Sequence, residues 1–270
     1  MIHPVASEPS GVGEMGPLAT GAVPDTRADA PGFLEVRGLT VRFGGLVAVN
    51  DFSMSVARGR VHALIGPNGA GKSTTFNCIS RYYEPSAGTI ILDAEEITGR
   101  RPHEMASLGV ARTFQNLELF SELTVLENVL VSAFLRTADR REAERRAHAA
   151  LETVGLDDRA LQPAGDLNLA RRRRLELARA LATEPKVLFL DELMAGLNPP
   201  ALRDMIEFVR GLARTGMAVV MVEHIMQAVT ELCDHVYVLA FGELIASGTP
   251  REVVSDPRVV EAYLGVEDDG

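Results

Sequence analysis

One short glycine-rich segment constrains the fold of this chain more than any other feature. Residues 66–73 read Gly-Pro-Asn-Gly-Ala-Gly-Lys-Ser and match the pattern G-x-x-x-x-G-K-[ST] at every fixed position. The segment follows an apolar run at 61–65 and precedes a helix predicted over 74–80. Its glycines let successive backbone N–H groups point inward, and the helix adds the positive end of its dipole. The sequence therefore predicts a phosphate-binding loop between a buried strand and a helix.

The side chains of this loop predict how it holds a nucleotide. Lysine is rare in the chain, since Lys72 and Lys186 are the only two among 27 lysine and arginine residues. We expect the Lys72 ammonium group to reach the β- and γ-phosphates and the Ser73 hydroxyl to bind Mg²⁺. The predicted nucleotide-binding residues of the loop are Gly66, Pro67, Asn68, Gly69, Ala70, Gly71, Lys72, Ser73 and Thr74.

A second motif ends in two adjacent carboxylates. Residues 186–192 read Lys-Val-Leu-Phe-Leu-Asp-Glu, an apolar strand that ends in acid. Ligands bind at the carboxyl ends of strands in open parallel sheets. We expect Asp191 to hold Mg²⁺ through water and Glu192 to orient or deprotonate an attacking water. A solvated strand end has the same pattern in isolation, and the complete loop upstream favours the catalytic interpretation.

Composition and charge exclude several classes of protein. A chain of 270 residues, 46% of them hydrophobic, can bury a core without disulfide or metal staples. No apolar run approaches the ~20 residues of a membrane-spanning helix, and residues 1–30 lack a secretory signal. Cys78 and Cys233 form no metal or redox spacing, which predicts a reduced, cytoplasmic setting. A net charge of −10 argues against wholesale binding of nucleic acid.

Hydrophobic periodicity predicts an α/β fold with three parts. Short alternating segments predict an antiparallel β subdomain from strands at 34–37, 39–43, 52–56 and 88–93. Helical patterns fill a subdomain from about 118 to 181. Strands then alternate with helices, which predicts a parallel sheet with right-handed crossovers. Strands of this last part are predicted at 187–190, 218–222 and 236–239, and its helices at 201–213 and 225–232.

Composition also predicts where order begins and ends. Residues 1–31 are rich in Pro, Gly and Ala without periodicity, so they cannot bury enough apolar surface to offset the entropy of ordering. We expect a disordered tail there, one ordered domain over 32–265, and a frayed acidic tail over 266–270.

Four further segments decide among the many proteins that carry these two motifs. Gln115 lies in Thr-Phe-Gln-Asn at 113–116, and a helical segment at 167–181 precedes the acidic strand. After that strand, Gly-Leu-Asn-Pro follows at 196–199, and His224 ends a later strand. In this order the chain resembles an ATP-binding-cassette (ABC) ATPase, with its phosphate loop, Q-loop, signature, acidic strand, D-loop and switch histidine. The resemblance covers residues 33 to about 265.

A narrower resemblance is to the ATP-binding subunits of branched-chain (hydrophobic) amino-acid uptake systems. It rests on segments at 43–49, 113–116, 123–129, 195–199, 222–224 and 261–265. The resemblance implies a P-loop NTPase core with a mainly parallel sheet. It also implies that Phe43 stacks on adenine, that Gln115 binds Mg²⁺ and senses the membrane partner, and that His224 contacts the γ-phosphate. Taken alone, these residues are typical of a core aromatic, a surface glutamine and a hydrogen-bonded histidine, and only their order favours function.

One segment departs from the family pattern. The usual signature begins Leu-Ser-Gly-Gly-Gln, whereas residues 167–171 read Leu-Asn-Leu-Ala-Arg. Asn168 and Ala170 therefore stand where a serine and a glycine of the family lie against the γ-phosphate bound by the opposite subunit. The methyl group of Ala170 should hinder close backbone approach. The arginines at 171–174 leave two interpretations open, a helix end near phosphate or a charged helix face, and a nucleic-acid patch is less favoured.

The resemblance also implies partners. Two such subunits sandwich two ATP molecules head to tail at the cytoplasmic face of the inner membrane, separate permease chains cross the membrane, and an extracytoplasmic solute-binding protein delivers the solute. One alternative is a soluble ABC ATPase of DNA repair or translation, but the long insertions or second cassette of such proteins are not visible. Another is a weakly hydrolysing, nucleotide-gated regulatory subunit, against which the presence of Glu192 and His224 argues.

Overall fold

The computed structural model describes residues 32–113 and 119–264, and we refer to these as the described residues. Gln115 and the tails predicted at 1–31 and 266–270 lie outside them. The strands are β1 (Leu34–Phe43), β2 (Leu46–Val56), β3 (Val61–Ile65), β4 (Ala87–Leu92), β5 (Glu95–Glu96), β6 (Val110–Arg112), β7 (Val187–Asp191), β8 (Ala218–Val222), β9 (His235–Ala240) and β10 (Glu243–Gly248). The α-helices are α1 (Lys72–Ile79), α2 (Met105–Leu108), α3 (Val125–Ala133), α4 (Arg140–Val154), α5 (Leu169–Leu181), α6 (Pro199–Arg214), α7 (Met226–Leu232), α8 (Pro250–Val254) and α9 (Pro257–Leu264).

The larger sheet has six strands in the order β10-β9-β3-β8-β7-β6. Strands β9, β3, β8, β7 and β6 run parallel, and only β10 is antiparallel to its neighbour. Every residue of β3, β7 and β8 is buried, which is why these segments read as unbroken apolar runs. The predicted α/β class is confirmed. Strand β6 was not predicted, because three residues are too few to show periodicity and only their pairing with β7 defines them.

The smaller sheet is antiparallel, in the order β2-β1-β4-β5, and matches the predicted β subdomain. The segments predicted at 34–37 and 39–43 form one continuous strand, because register shifts absorb Gly38 without ending the pairing with β2. Strand β2 also begins earlier than predicted, at Leu46. The long hairpin brings the end of β1 beside the beginning of β2.

Two hydrophobic cores lie on opposite faces of the larger sheet. Alternate residues of each central strand serve different cores, because successive side chains of a strand point to opposite faces. Leu64 and Phe189 pack in a first core with the smaller sheet, α1 and α2. Ile65 and Leu190 pack in a second core with helices α3 to α9. The second core joins α3, α4 and α5 to the sheet through buried apolar residues of all three helices. No helix among the described residues is long and apolar enough to cross a membrane.

A buried histidine makes the stability of this fold sensitive to acid. His62 on β3 is 6% exposed, and its Nε2 accepts a hydrogen bond from the Ala57 N–H at 3.3 Å. Burial lowers the pKa of His62 to about 4, with a further decrease from His235, an opposing effect of Asp234 and a small decrease from Arg60. The unfolded chain binds this proton near pH 6.5. The contribution of His62 to the free energy of unfolding is therefore fully present above pH 6.5. It decreases as the pH drops toward 4, by about 3 kcal/mol in all.

We expect His62→Gln to flatten this acid dependence. Between pH 7.5 and pH 5 the His62 contribution amounts to about 2 kcal/mol, which the variant should not lose. Urea unfolding of both proteins at the two pH values measures the difference. The exposed His148→Gln is the matched control and should keep the wild-type dependence. Equal losses in wild type and His62→Gln would show that other groups cause the acid dependence.

Candidate nucleotide-binding site

The predicted phosphate loop connects β3 to α1 and leaves no room for side chains at two of its glycines. A Cβ atom on Gly66 would lie 2.0 Å from the Leu239 carbonyl oxygen of β9. Gly71 has a φ of +99°, and a Cβ atom there would lie 2.6 Å from the Ala48 carbonyl oxygen of β2. The loop is also held from outside, because the Gly242 N–H donates to the Ala70 carbonyl at 3.0 Å. Glycine is therefore required where the loop lies against β9 and β2.

The Lys72 ammonium group lies across the loop that precedes it. Its Nζ donates to the carbonyl oxygens of Gly66 at 2.7 Å and Pro67 at 2.8 Å. Burial lowers the pKa of Lys72, and the negative charge of Glu192 opposes this decrease. The cation and the acidic end of β7 therefore lie close enough to interact.

The acidic pair lies at the carboxyl end of β7, where the sequence predicts it. Asp191 ends β7, and its Oδ2 accepts a hydrogen bond from Arg112 Nη2 at 2.7 Å. Burial raises the pKa of Asp191, and the hydrogen bond and charge of Arg112 lower it. Glu192 has a φ of +48°, which is strained for a residue with a side chain and is typical of functional sites. Its Oε1 lies 3.6 Å from Nδ1 of His224.

Strand order explains why these residues meet. The strands β3, β8 and β7 are neighbours and parallel, so their carboxyl ends lie at one edge of the sheet. The phosphate loop follows β3, Asp191 and Glu192 end β7, and His224 follows β8. The structure thus brings together the predicted loop residues, both carboxylates and the histidine.

The remaining predicted residues lie on other elements. Phe43 ends β1 and is 48% exposed, with its ring edge-on to Tyr83 at 5.7 Å, so the alternative of a core aromatic is wrong. Asn168 and Ala170 lie at the beginning of α5. Gln115 lies outside the described residues, and its predicted role stays a prediction.

The altered signature keeps its helix cap. Asn168 Oδ1 accepts a hydrogen bond from the Arg171 N–H at 3.0 Å, as a serine cap does, so the change preserves the helix start. The side chains of Arg172, Arg173 and Arg174 have partners among the described residues. Arg172 donates to the Gly165 and Leu167 carbonyls, Arg173 lies 3.5 Å from Glu176, and Arg174 donates to the Val154 carbonyl. These contacts explain the arginine run structurally and do not favour a nucleic-acid patch.

Two further residues near the loop were not predicted from the sequence. Glu223 is almost fully buried, and its Oε1 accepts a hydrogen bond from the Met194 N–H at 2.9 Å, which ties the end of β8 to the turn after Glu192. Burial raises the pKa of Glu223. Burial raises the pKa of Tyr263 on α9, and a hydrogen bond with the backbone of Gly66 partly opposes this increase. Tyr263 lies in a segment already singled out by resemblance, but no local pattern indicated its contact.

The arrangement fits a magnesium ion that is shared with phosphate. Among the described residues, no group of three or more His, Cys, Asp or Glu side chains is placed to hold a metal alone. Mg²⁺ usually takes one or two protein oxygens and completes its shell with phosphate and water. Ser73 on the first turn of α1 and Asp191 at the end of β7 offer oxygen ligands of this kind, and the loop between β3 and α1 is the predicted phosphate site.

A phosphate loop after a buried strand, with an acidic pair at the end of a strand in the same sheet, defines a P-loop ATPase core. The family model described as ABC transporter matches residues 49–195. A second model, described as branched-chain amino acid ATP-binding cassette transporter, matches residues 243–269. The chain belongs to the ABC transporter family, as an ATPase of the subgroup that this second model describes.

Similar proteins agree with this assignment. The high-affinity branched-chain amino acid transport ATP-binding protein BraF of Pseudomonas aeruginosa is 44% identical over 86% of this chain and 97% of BraF. LivG of Escherichia coli K12, described in the same words, is 40% identical over 86% of this chain and 97% of LivG. The crystal structure of an ABC transporter cassette in its ADP conformation superimposes with a TM-score of 0.80 and 32% identity, over 87% of this chain and all of that one. The predicted family, fold class and ATPase activity are confirmed.

Proposed function

We propose that this chain binds and hydrolyses ATP to drive uptake of branched-chain amino acids, or a related small solute, through separate permease subunits. The observation that carries the proposal is the 40–44% identity to BraF and LivG over most of the chain. The ATPase activity belongs to the family, whereas the solute is inferred from the relatives' names.

Binding of ATP follows from the residues around the loop. Backbone N–H groups of the glycine-rich loop and of the first turn of α1, together with the Lys72 ammonium group, neutralise the phosphates. Phe43, exposed at the end of β1, offers its ring to adenine. Ser73, Asp191 and Gln115 would hold Mg²⁺, which would supply positive charge to the phosphates.

Hydrolysis requires a water molecule in line with the bond between the γ-phosphorus and its bridging oxygen. Glu192 accepts a proton from that water while the water oxygen bonds to the γ-phosphorus. The bond to the bridging oxygen breaks, and ADP and phosphate are released. His224 lies 3.6 Å from Glu192 and donates to a γ-phosphate oxygen, so that the attacking water and the phosphate are held by neighbouring side chains.

This chain has a groove beside the nucleotide site that is suited to contact with permease subunits. A groove of about 320 Å³ lies between α3 and the strand β6, which leads into the segment of Gln115. Its apolar lining includes the exposed side chains of Tyr82, Val131 and Leu135. We propose that a permease segment binds here and holds the chain, together with a second ATPase subunit, at the cytoplasmic face of the membrane. The solute-binding protein then acts only through the permeases.

Uptake of labelled solute tests the proposed function. Cells that lack this chain should lose most of their uptake of leucine, isoleucine and valine, and the wild-type chain should restore it. Glu192→Gln should assemble with the permeases without restoring uptake. Unchanged uptake in the deletion strain would refute the solute assignment, and failure of the chain to co-purify with any permease would refute the transport role.

The altered signature predicts unequal ATP sites in the assembled transporter. Each ATP of a head-to-tail pair lies between the phosphate loop of one subunit and the signature of the other. The Ala170 methyl group keeps the α5 backbone away from the partner's phosphate, although Arg171 supplies positive charge nearby. We therefore expect the isolated chain, whose homodimer has two altered sites, to hydrolyse ATP slowly.

The comparison that checks this asymmetry uses the reconstituted complex. Glu192→Gln in this chain should reduce turnover more than the matching change in a partner subunit whose signature is unaltered. Equal losses, or rapid turnover by the isolated chain, would show that the altered signature is a tolerated variant.

A further inference from the structure

The Arg112 side chain joins three elements that surround the proposed metal site. Arg112 is the last residue of β6, and its side chain is 9% exposed. Its Nη1 donates to Asn77 Oδ1 at 2.5 Å and to Ser80 Oγ at 3.0 Å, both on the helical segment that follows the phosphate loop. Its Nη2 donates to Asp191 Oδ2 at 2.7 Å. One guanidinium group therefore connects this helix to the carboxylate that ends β7.

The surroundings require the shape of arginine as well as its charge. The guanidinium carbon lies 5.0 Å from the centre of the Phe76 ring and 5.4 Å from that of Tyr82. A planar fork can stack on such rings and donate from two nitrogens at once, whereas lysine offers a single charged point. A buried ion pair often contributes little net stability compared with apolar residues. A gain in stability is therefore a weak reason for this pair to lie at Asp191.

The backbone beside Arg112 holds the same carboxyl residue. The Thr113 N–H donates to the Phe189 carbonyl at 2.9 Å, and Thr113 Oγ1 accepts from the Asp191 N–H at 3.2 Å. The residues at the end of β6 thus contact both the backbone amide and the carboxylate of Asp191. These contacts leave Asp191 little freedom to rotate.

We propose that Arg112 is a positioning residue for the magnesium–nucleotide complex, because it holds Oδ2 of Asp191 and thereby directs the other carboxylate oxygen toward the metal beside the phosphate loop. The proposal rests on the proposed function. Residues that orient a metal-ligating group typically change metal affinity about 10–100-fold when they are replaced. The loss should concern the metal-dependent part of ATP binding, since Lys72 and the loop amides do not depend on Arg112.

Arg112→Lys tests this role, with Arg81→Lys as the matched control. Arg81 is also almost fully buried at the end of α1, but its Nε donates to the Arg100 carbonyl and its nearest carboxylate is Glu84. Affinity for a fluorescent ATP analogue is measured with the full chain in EDTA and in Mg²⁺, and Mn²⁺ binding to the ATP complex is measured by electron paramagnetic resonance. Arg112→Lys should bind ATP like wild type in EDTA and lose about tenfold or more of the enhancement by metal. Arg81→Lys should match wild type in both conditions.

The remaining outcomes are distinguishable. If folded Arg112→Lys gained as much ATP affinity from metal as wild type, the inference would be overturned. A larger gain would also overturn it, because Arg112 would then compete with the metal. A similar loss in Arg81→Lys would also overturn it, since the effect would be general to buried arginines. If Arg112→Lys does not fold, Asn77→Ala decides, because it frees one end of the guanidinium group and should weaken the metal enhancement severalfold. A wild-type chain without metal-dependent ATP binding would refute the proposed function itself.

Discussion

Glu192→Gln should leave ATP binding intact and slow hydrolysis at least ~10²-fold, the usual scale for loss of a general base. The amide has nearly the same shape as the carboxylate, so it preserves the strained turn at the end of β7. It cannot accept the proton of the attacking water. The phosphate loop, Lys72 and Asp191 are unchanged, and nucleotide affinity should therefore be unchanged.

Single-turnover hydrolysis measures this effect without interference from product release. Glu152→Gln on the exposed face of α4 is the matched control and should hydrolyse ATP at the wild-type rate. Near-normal hydrolysis by Glu192→Gln would mean that another group accepts the proton, and the geometry would then favour His224.

Lys72→Ala should weaken ATP binding by roughly 10- to 100-fold. The ammonium group lies inside the loop, 2.7 Å and 2.8 Å from two of its carbonyl oxygens, where a phosphate can replace those partners. Hydrogen bonds to charged groups contribute about 1.5–3 kcal/mol, which corresponds to this change in affinity.

The only other lysine of the chain provides a control of the same chemistry. Lys186 lies before β7 and pairs with Asp93 at 3.2 Å on the surface. Nucleotide titration in the presence of Mg²⁺ should show wild-type affinity for Lys186→Ala and a sharp loss for Lys72→Ala. Equal affinities for both variants would exclude the loop as the phosphate site.

The arginine run and Phe43 show where local patterns were insufficient. The sequence left the run at 171–174 open between a phosphate-binding helix end and a charged face, because both produce the same local composition. The structure shows Arg172 and Arg174 donating to backbone carbonyls, which only the packing of α5 against its neighbours makes possible. Phe43 taken alone favoured a core position, yet it is half-exposed because β1 extends past the edge of the core.

The sequence alone determined the features that depend on consecutive residues. The phosphate loop, the acidic end of β7 and the buried runs of β3 and β8 follow from residue types at fixed short spacings, because local sterics and side-chain alternation act within a few residues. Tertiary structure decided which strand ends meet and which distant groups pair. The Arg112–Asp191 hydrogen bond joins residues 79 positions apart, and the contact of Glu223 with Met194 spans 29. Such contacts depend on the strand order β3-β8-β7-β6, and no pattern along the chain encodes that order, since pairing between strands is set by the packing of the whole sheet.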